Sequence, residues 1–453
     1  MRKLVGSILL ISWLLACNTK KASNSSEINS TMQDNTNKDW IKHTNIYEVN
    51  VRQYTKEGTF NAFINELPRL KEMGVHTLWF MPITPIAEKN KKGILGSPYA
   101  TSDYTAINPE FGTLDDFKNL VKAAHDHGFK VIIDWVANHT GWDHRWTKEH
   151  PDWYLRDSAT NDFKIASGMD DIIELDFGNA EMRRAMISAM KFWVEEAGID
   201  GFRCDLASWV ELDFWQEAKK ELDNVKALFW LAELDPLENP EYMQVFDAAY
   251  TWSWMHKTQE FYQQHQSVRA LDSLLNRYQD APGIKAWFTT NHDENSWNGT
   301  EYEKYGDAAL ALAVFSATWK GIPLIYSGQE MPNHKRLKFF EKDPIDWNGK
   351  YELAGFYKTL FELKSKHPAL STVADVQRIP TSHDDQVLAF LRKSGDREVF
   401  VILNLSRAGN LQVDLHQAPI SGNYRNVFSG AQHEFSSNRQ LTLEPWQYLV
   451  FEK

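Results

Sequence analysis

The chain is poor in cysteine, in long apolar runs and in positive charge, and each shortage narrows what it can be. Only Cys17 and Cys204 occur among 453 residues, so no disulfide framework is expected. The longest apolar stretch, residues 4–15, is interrupted by Gly6, Ser7 and Ser12 and is too short for a permanent membrane span. Lysines and arginines number 49 against 61 aspartates and glutamates, a formal charge of -12. Nucleic acid is therefore not an expected partner, because phosphate contacts are made by cations. No internal repeat of solenoid period is present. What remains is a globular composition, 43% hydrophobic and 24% charged, in a chain long enough for one large core and a smaller companion. Aromatics reach 13%, with 18 Trp, more flat apolar surface than packing alone demands.

Arg2 and Lys3 precede the apolar run and Ala16-Cys17 closes it, the order of an export signal. Residues 14–17, Leu-Leu-Ala-Cys, resemble a bacterial lipobox. The resemblance implies removal of residues 1–16, lipidation of Cys17, and an exported lipoprotein anchored on a membrane at the periplasmic face or cell surface. Residues 17–39, rich in Ser, Asn, Thr and Lys, read as a flexible tether.

From residue 46 onward short apolar runs alternate with amphipathic stretches. Strands are expected at 46–51, 76–81, 130–135, 201–203, 228–232, 246–250, 286–290 and 324–326. Helices are expected at 60–73, 114–127, 180–196, 213–222, 268–278, 305–318 and 353–367, while 236–246 is too weakly patterned to place one. This alternation implies a largely parallel α/β sheet. A doubly wound sheet satisfies it too, but eight consecutive units favour closure into a (β/α)₈ TIM barrel over 40–369. Residues 140–175 mix Trp142, Trp146 and Trp153 with His144, His150, Pro151 and Gly168. They read as a short inserted domain after the third strand, overhanging the catalytic face. Beyond 369 the helical rhythm stops; strands at 387–392, 398–404, 411–415 and 446–452 predict a C-terminal antiparallel β-sandwich over 370–453.

Polar residues stand where the barrel strands should end. Asp134 follows Val-Ile-Ile and leads to Asn138-His139; Arg203-Cys204-Asp205 closes the fourth strand, Leu-Ala-Glu233 the fifth, and Asn291-His292-Asp293 the seventh. One such Asp is usually a turn or cap residue, and one such His a packing residue. Four polar strand ends in order are a different matter, because barrel enzymes build their sites at that face.

These segments, in this order, resemble those of the α-amylase family of glycoside hydrolases. The similarity extends to residues 96–104 (Gly-Ser-Pro-Tyr-Ala-Thr-Ser-Asp-Tyr), which look like the family's substrate-floor segment, and to 323–330 at the eighth strand. The resemblance implies Asp205 as nucleophile, Glu233 as proton donor and Asp293 as the carboxylate steadying the distorted sugar. Retaining chemistry of this kind places two carboxyl groups about 5–5.5 Å apart. Arg203, two residues before Asp205, should point to the same side of its strand and hold Asp205 ionised. Tyr99, Asp103, His139 and His292 are implied sugar contacts, and Asp134 a structural support.

The chemistry implied needs no cofactor. A structural calcium is expected through Asn138 together with an acid among Asp170, Asp171, Glu174 and Asp176. Yet Asp205 is followed by Leu206-Ala207-Ser208-Trp209, not by the Lys-His pair of many starch-cleaving relatives, which weakens the case for that ion. Trp209 is either a stacking platform for sugar or a packing residue behind the fourth strand. The expected function is a retaining hydrolase of α-linked glucans or maltooligosaccharides. Its rivals are a glycosyltransferase using the same carboxylates and a non-catalytic surface protein that binds carbohydrate.

Overall fold

The computed structural model describes residues 38–415, 417–436 and 439–453. The expected signal peptide, Cys17 and almost all of the tether lie outside the described residues. Among the described residues ten strands precede residue 330: β1 (Ile46–Val49), β2 (Thr77–Phe80), β3 (Lys130–Trp135), β4 (His139–Gly141), β5 (Ile172–Glu174), β6 (Gly201–Cys204), β7 (Phe229–Ala232), β8 (Ala248–Tyr250), β9 (Ile284–Trp287) and β10 (Ile322–Tyr326). Eight of them close a barrel in the order β1-β10-β9-β8-β7-β6-β3-β2. The remaining pair, β4 and β5, is antiparallel and forms the base of the inserted excursion.

Closure follows from strands that are apolar on both faces. In β2, Trp79 turns inward to join Ile46, Ile132, Phe229 and Tyr250 in the barrel interior, while Leu78 and Phe80 turn outward into the layer of surrounding helices. Between β6 and β7 the backbones approach so closely that a Cβ on Gly201 would fall 2.1 Å from the Phe229 carbonyl oxygen. Only glycine fits there. The helices are delimited by local chemistry. Thr113 and Asp116 form a capping box at Leu114–Asp126, and Asn179 caps Ala180–Ala197, which stops at Gly198 in the left-handed region; each cap contributes about 1 kcal/mol.

Several expected elements differ in extent. The helix expected at 60–73 is two helices, Phe60–Ile64 and Leu67–Glu72, because Pro68 sits in the first turn of the second and cannot continue the first. The helix expected at 305–318 starts later, at Ala309–Thr318, after the 3₁₀ turn Gly306–Ala308, in which Gly306 has positive φ; a separate helix, Glu301–Tyr305, precedes it. Strand β9 starts two residues earlier and ends three residues earlier than expected. The weakly patterned stretch carries only the 3₁₀ turn Pro240–Gln244. Trp252–Gln263, a helix not anticipated, follows β8.

The C-terminal region contains β11 (Asp375–Ile379), β12 (Val387–Ser394), β13 (Arg397–Asn404), β14 (Leu411–Asp414), β15 (Gly422–Asn426), β16 (Gln432–Phe435), β17 (Gln440–Leu443) and β18 (Tyr448–Glu452). Six form a sheet ordered β11-β12-β13-β18-β15-β16, and β14 pairs with β17. Alternation along β12 and β13 builds two cores. Leu388, Phe390, Val399 and Val401 pack with Trp254, Phe315 and Trp319 of the barrel, whereas Val387, Ala389, Phe400 and Ile402 pack with Val413 and Leu443 of the small sheet. The β region therefore shares its core with the barrel, and residues 38–453 form one compact unit.

Candidate active site

The barrel brings the anticipated strand ends to one face. Asp205 directly follows β6 and Glu233 directly follows β7; the Glu233 amide donates to the Cys204 carbonyl and the Asp205 amide to the Trp135 carbonyl, so parallel pairing itself fixes how far apart the two residues start. Between them lies Arg203, with no exposed side-chain surface. Its Nη1 donates to Asp134 Oδ1 at 2.8 Å and to Asp205 Oδ1 at 3.0 Å. Its Nη2 is 2.8 Å from Glu233 Oε2 but is not aligned for a hydrogen bond to it. Trp79, Tyr99 and Tyr250 surround the guanidinium with ring faces. A cation this buried persists only because several carboxylates surround it.

Leu206 contributes through its backbone, a role that its side chain does not signal. Its φ of +41° is strained for a bulky side chain, and the turn aims its amide at Glu233 Oε2, 2.9 Å away. Glu233 is thereby held through one oxygen by Leu206 and Arg203. Burial, then the facing Glu233, push the Asp205 carboxyl well above the usual range, with Arg203 opposing.

On the other side of Arg203, Tyr99 donates to Asp134 Oδ2 at 2.9 Å and its hydroxyl lies 2.8 Å from His292 Nε2. The other ring nitrogen of His292 meets Glu48, a buried acid on β1, and Nε2 is also 3.3 Å from Asp293. Glu48 was not anticipated; a charge inside the strand Ile-Tyr-Glu-Val was its available signal, since such strands are buried on both faces. His139 is buried and its pKa falls to about 4 because burial disfavours the imidazolium. It is neutral at pH 7. With the Asn138 amide 3.3 Å from Nδ1, Nδ1 accepts and the proton sits on Nε2. Nε2 and Asp205 Oδ2 are both buried without a protein hydrogen-bond partner, each costing about 1–3 kcal/mol that a hydroxylated ligand would return.

A cavity of about 400 Å³ contains Tyr99, His139, Asp205, Glu233, His292 and Asp293 in its wall. Trp297, Phe339 and Phe340 extend the wall with rings; Trp297 is 53% exposed and stands on the π-helical turn Glu294–Asn298, directly after Asp293. Two anticipated contacts stand elsewhere. Asp103 caps its own turn by accepting from Thr105 N and Oγ1 at 2.8 and 3.0 Å, and Trp209 sits 45% exposed on the 3₁₀ turn Ala207–Trp209, outside the cavity wall.

The residues considered for calcium each have a protein neighbour. Asn138 directs its side chain to His139. Lys92 neutralises Asp170 and Asp171, Lys164 pairs with Glu174, and Asp176 bonds Gly178 N. Among the described residues no cluster of three or more His, Cys, Asp or Glu side chains forms a metal cage.

The charge on His292 sets a pH dependence. Burial by itself lowers its pKa, but Asp293 and Glu48 outweigh burial and raise it from 6.5 to about 9. A cation whose pKa rises on folding stabilises the protein fully below its unfolded pKa, and that stabilisation is lost as pH climbs through the folded value. Wild-type Tm is therefore expected to fall more steeply from pH 6.5 to about 9.5 than that of His292→Gln. Parallel Tm profiles for the two proteins would contradict a charged His292.

Comparison with known proteins adds the lineage. A family model described as "Alpha amylase, catalytic domain" matches residues 23–168 and 150–386, and one described as "Maltogenic Amylase, C-terminal domain" matches 377–450. Neopullulanase 2 of Thermoactinomyces vulgaris is 29% identical over 433 residues, covering 87% of this chain and 70% of its own. Alpha-amylase 2 of Dictyoglomus thermophilum is 24% identical over 440 residues, covering 86% and 73%. The crystal structure of a noncanonic maltogenic α-amylase from Thermotoga neapolitana superposes with a TM-score of 0.83 at 32% identity, covering 91% of this chain and 99% of that one. With its closed barrel, its excursion after β3 and its β region all matched, this chain belongs to the α-amylase family of glycoside hydrolases.

Proposed function

We propose that this glycosidase cleaves α-linked glucans and maltooligosaccharides with retention, using Asp205 as nucleophile and Glu233 as acid and base. The observation that carries the reading is one buried guanidinium contacting both carboxyl groups in the wall of a single cavity. Arg203 makes its aligned bond to Asp205, which favours the ionised form there. The acid role requires a proton on Glu233, and Oε1 is the oxygen open to carry it, since Oε2 receives the Leu206 amide.

In the first step an oxygen of Asp205 attacks the anomeric carbon and the glycosidic bond breaks. The departing oxygen takes the Glu233 proton, leaving a glycosyl ester on Asp205. In the second, ionised Glu233 removes a proton from water, whose oxygen attacks the same carbon and releases Asp205. Asp293, with charged His292 beside it, accepts sugar hydroxyls and opposes the positive charge developing on the ring. His139 donates from Nε2, and Tyr99 supplies a ring face. No step requires a metal.

Glu233→Gln tests the assignment. Maltooligosaccharide turnover is expected to drop about a thousand-fold, and turnover of a dinitrophenyl glycoside, whose leaving group needs no proton, by at least ~10-fold less. Equal losses on both substrates would remove Glu233 from the acid role. Anchoring through Cys17 would place this activity outside the cytoplasm, where polymeric glucans are met. The support is the charge, apolar run and Leu-Leu-Ala-Cys order of residues 2–17. Mass spectrometry of membrane-derived protein is expected to find residue 17 at the N-terminus carrying lipid; an unmodified, internal Cys17 would refute it.

A further inference from the structure

Residues 86–101 form a strap over one end of the cavity. The strap is closed at its base, where Ile86 pairs with Thr101 and the Ala87 amide donates to the Ala100 carbonyl at 2.8 Å. Toward the inserted excursion it makes two ties. The amides of Glu88 and Lys89 both donate to Asp143 Oδ2 at 3.1 Å, and Lys92 Nζ bridges Asp170 and Asp171 at 3.0 and 2.8 Å. Toward the loop after β10, the Leu95 amide donates to the Phe340 carbonyl at 2.9 Å. Gly93 lies so near that a Cβ there would meet the Phe340 Cβ at 2.6 Å. Lys92, Asp171 and Phe340 all belong to the cavity wall, so the ties draw two opposing loops together across the space a chain would thread.

The chemistry says which end is shut. Tyr99, which the strap runs into, bonds Asp134, which bonds Arg203 through Nη1; Glu233 meets the same guanidinium at Nη2. Tyr99, with His292 and Asp293, thus groups with Asp134 at Nη1, and Glu233 with the Leu206 amide at Nη2. The proton donor must face the departing sugar, so the Tyr99 end receives the sugar that is retained. We propose that the strap blocks the retained-sugar end, so that the enzyme accepts the non-reducing terminus of an α-glucan and releases short products from it. This specificity rests on the hydrolase reading above, and Lys92 is the residue that sets it.

The test compares 4-nitrophenyl maltoheptaoside with the same compound blocked by an ethylidene group on its non-reducing glucose. Wild type is expected to cleave the free substrate at least ~30-fold faster in kcat/KM than the blocked one. Lys92→Met keeps the apolar stem but cuts both ion pairs; it is expected to narrow the ratio to ~3-fold or less by raising the rate on the blocked compound. Asp171→Asn, which loosens the tie from its other side, should shift the ratio in the same direction, and serves where Lys92→Met folds poorly. Equal wild-type rates on the two compounds would overturn the strap while leaving the hydrolase intact. A ratio that narrows only through loss of the free-substrate rate would overturn it as well. Failure of wild type to cleave either compound would overturn the hydrolase reading and this inference together.

Discussion

Asp205→Asn is expected to lower turnover of maltooligosaccharides about ten-thousand-fold or more while leaving Tm unchanged or slightly raised. The first half follows from chemistry, because an amide oxygen is too poor a nucleophile to form the glycosyl ester and nothing else in the wall stands where Asp205 stands. The second half follows from electrostatics. Asp205 is buried beside Glu233, with Asp134 and Asp293 adding to the negative field, so in the free enzyme its charge is held at a cost to folding. Neutralising it removes repulsion while keeping the shape. Steady-state kinetics and thermal unfolding on the same preparation check both halves. Retention of an ordinary rate would eliminate the mechanism, and a large fall in Tm would mean that Asp205 is structural.

Removing the guanidinium should have the opposite stability profile. Arg203→Met is expected to destabilise the fold by about 3–5 kcal/mol, because Asp134, Asp205 and Glu233 would be left in a dry interior without their shared cation. Protonation of one or two of them would recover part of the loss, so the deficit is expected to shrink as pH falls. Arg203→Lys should recover Tm partly and activity poorly. An ammonium is one point of charge and does not address Asp205 and Glu233 from two nitrogens at once. Denaturation of the two variants at pH 5 and at pH 8 would check this. Wild-type stability of Arg203→Met at neutral pH would show that the carboxylates find other partners.

Much of the barrel was legible because its strands are short apolar runs with few competing patterns; Lys130–Trp135 coincides with the expectation residue for residue. The less legible elements have local causes. Pro68 interrupts an amphipathic periodicity that continues through it, the helix after Gly306 is apolar all round and so marks no start of its own, and Trp252–Gln263 combines bulky aromatics with polar residues in a weakly sided pattern. In the C-terminal region β15 and β16 present exposed and buried residues in alternation, too polar to stand out from turns. At the site, Asp205, Glu233 and Asp293 announced themselves as acids at strand ends. Leu206 and the strap did not, since a strained leucine and a lysine among surface lysines carry no pattern of their own.

The amino-acid order alone determined the repeat of strand and helix and two acids, Asp205 and Glu233, that directly follow strands, with Asp293 in the loop beyond β9, because burial on both faces and turn chemistry are written in neighbouring residues. Tertiary structure decided which of those acids share a cation, which oxygen of Glu233 stays free, and where Lys92 fastens one loop to another. These are contacts between residues far apart in the chain, such as Lys92 with Asp171 or Glu48 with His292. Their energy depends on separation and on exclusion of water, and both are fixed only when the barrel closes.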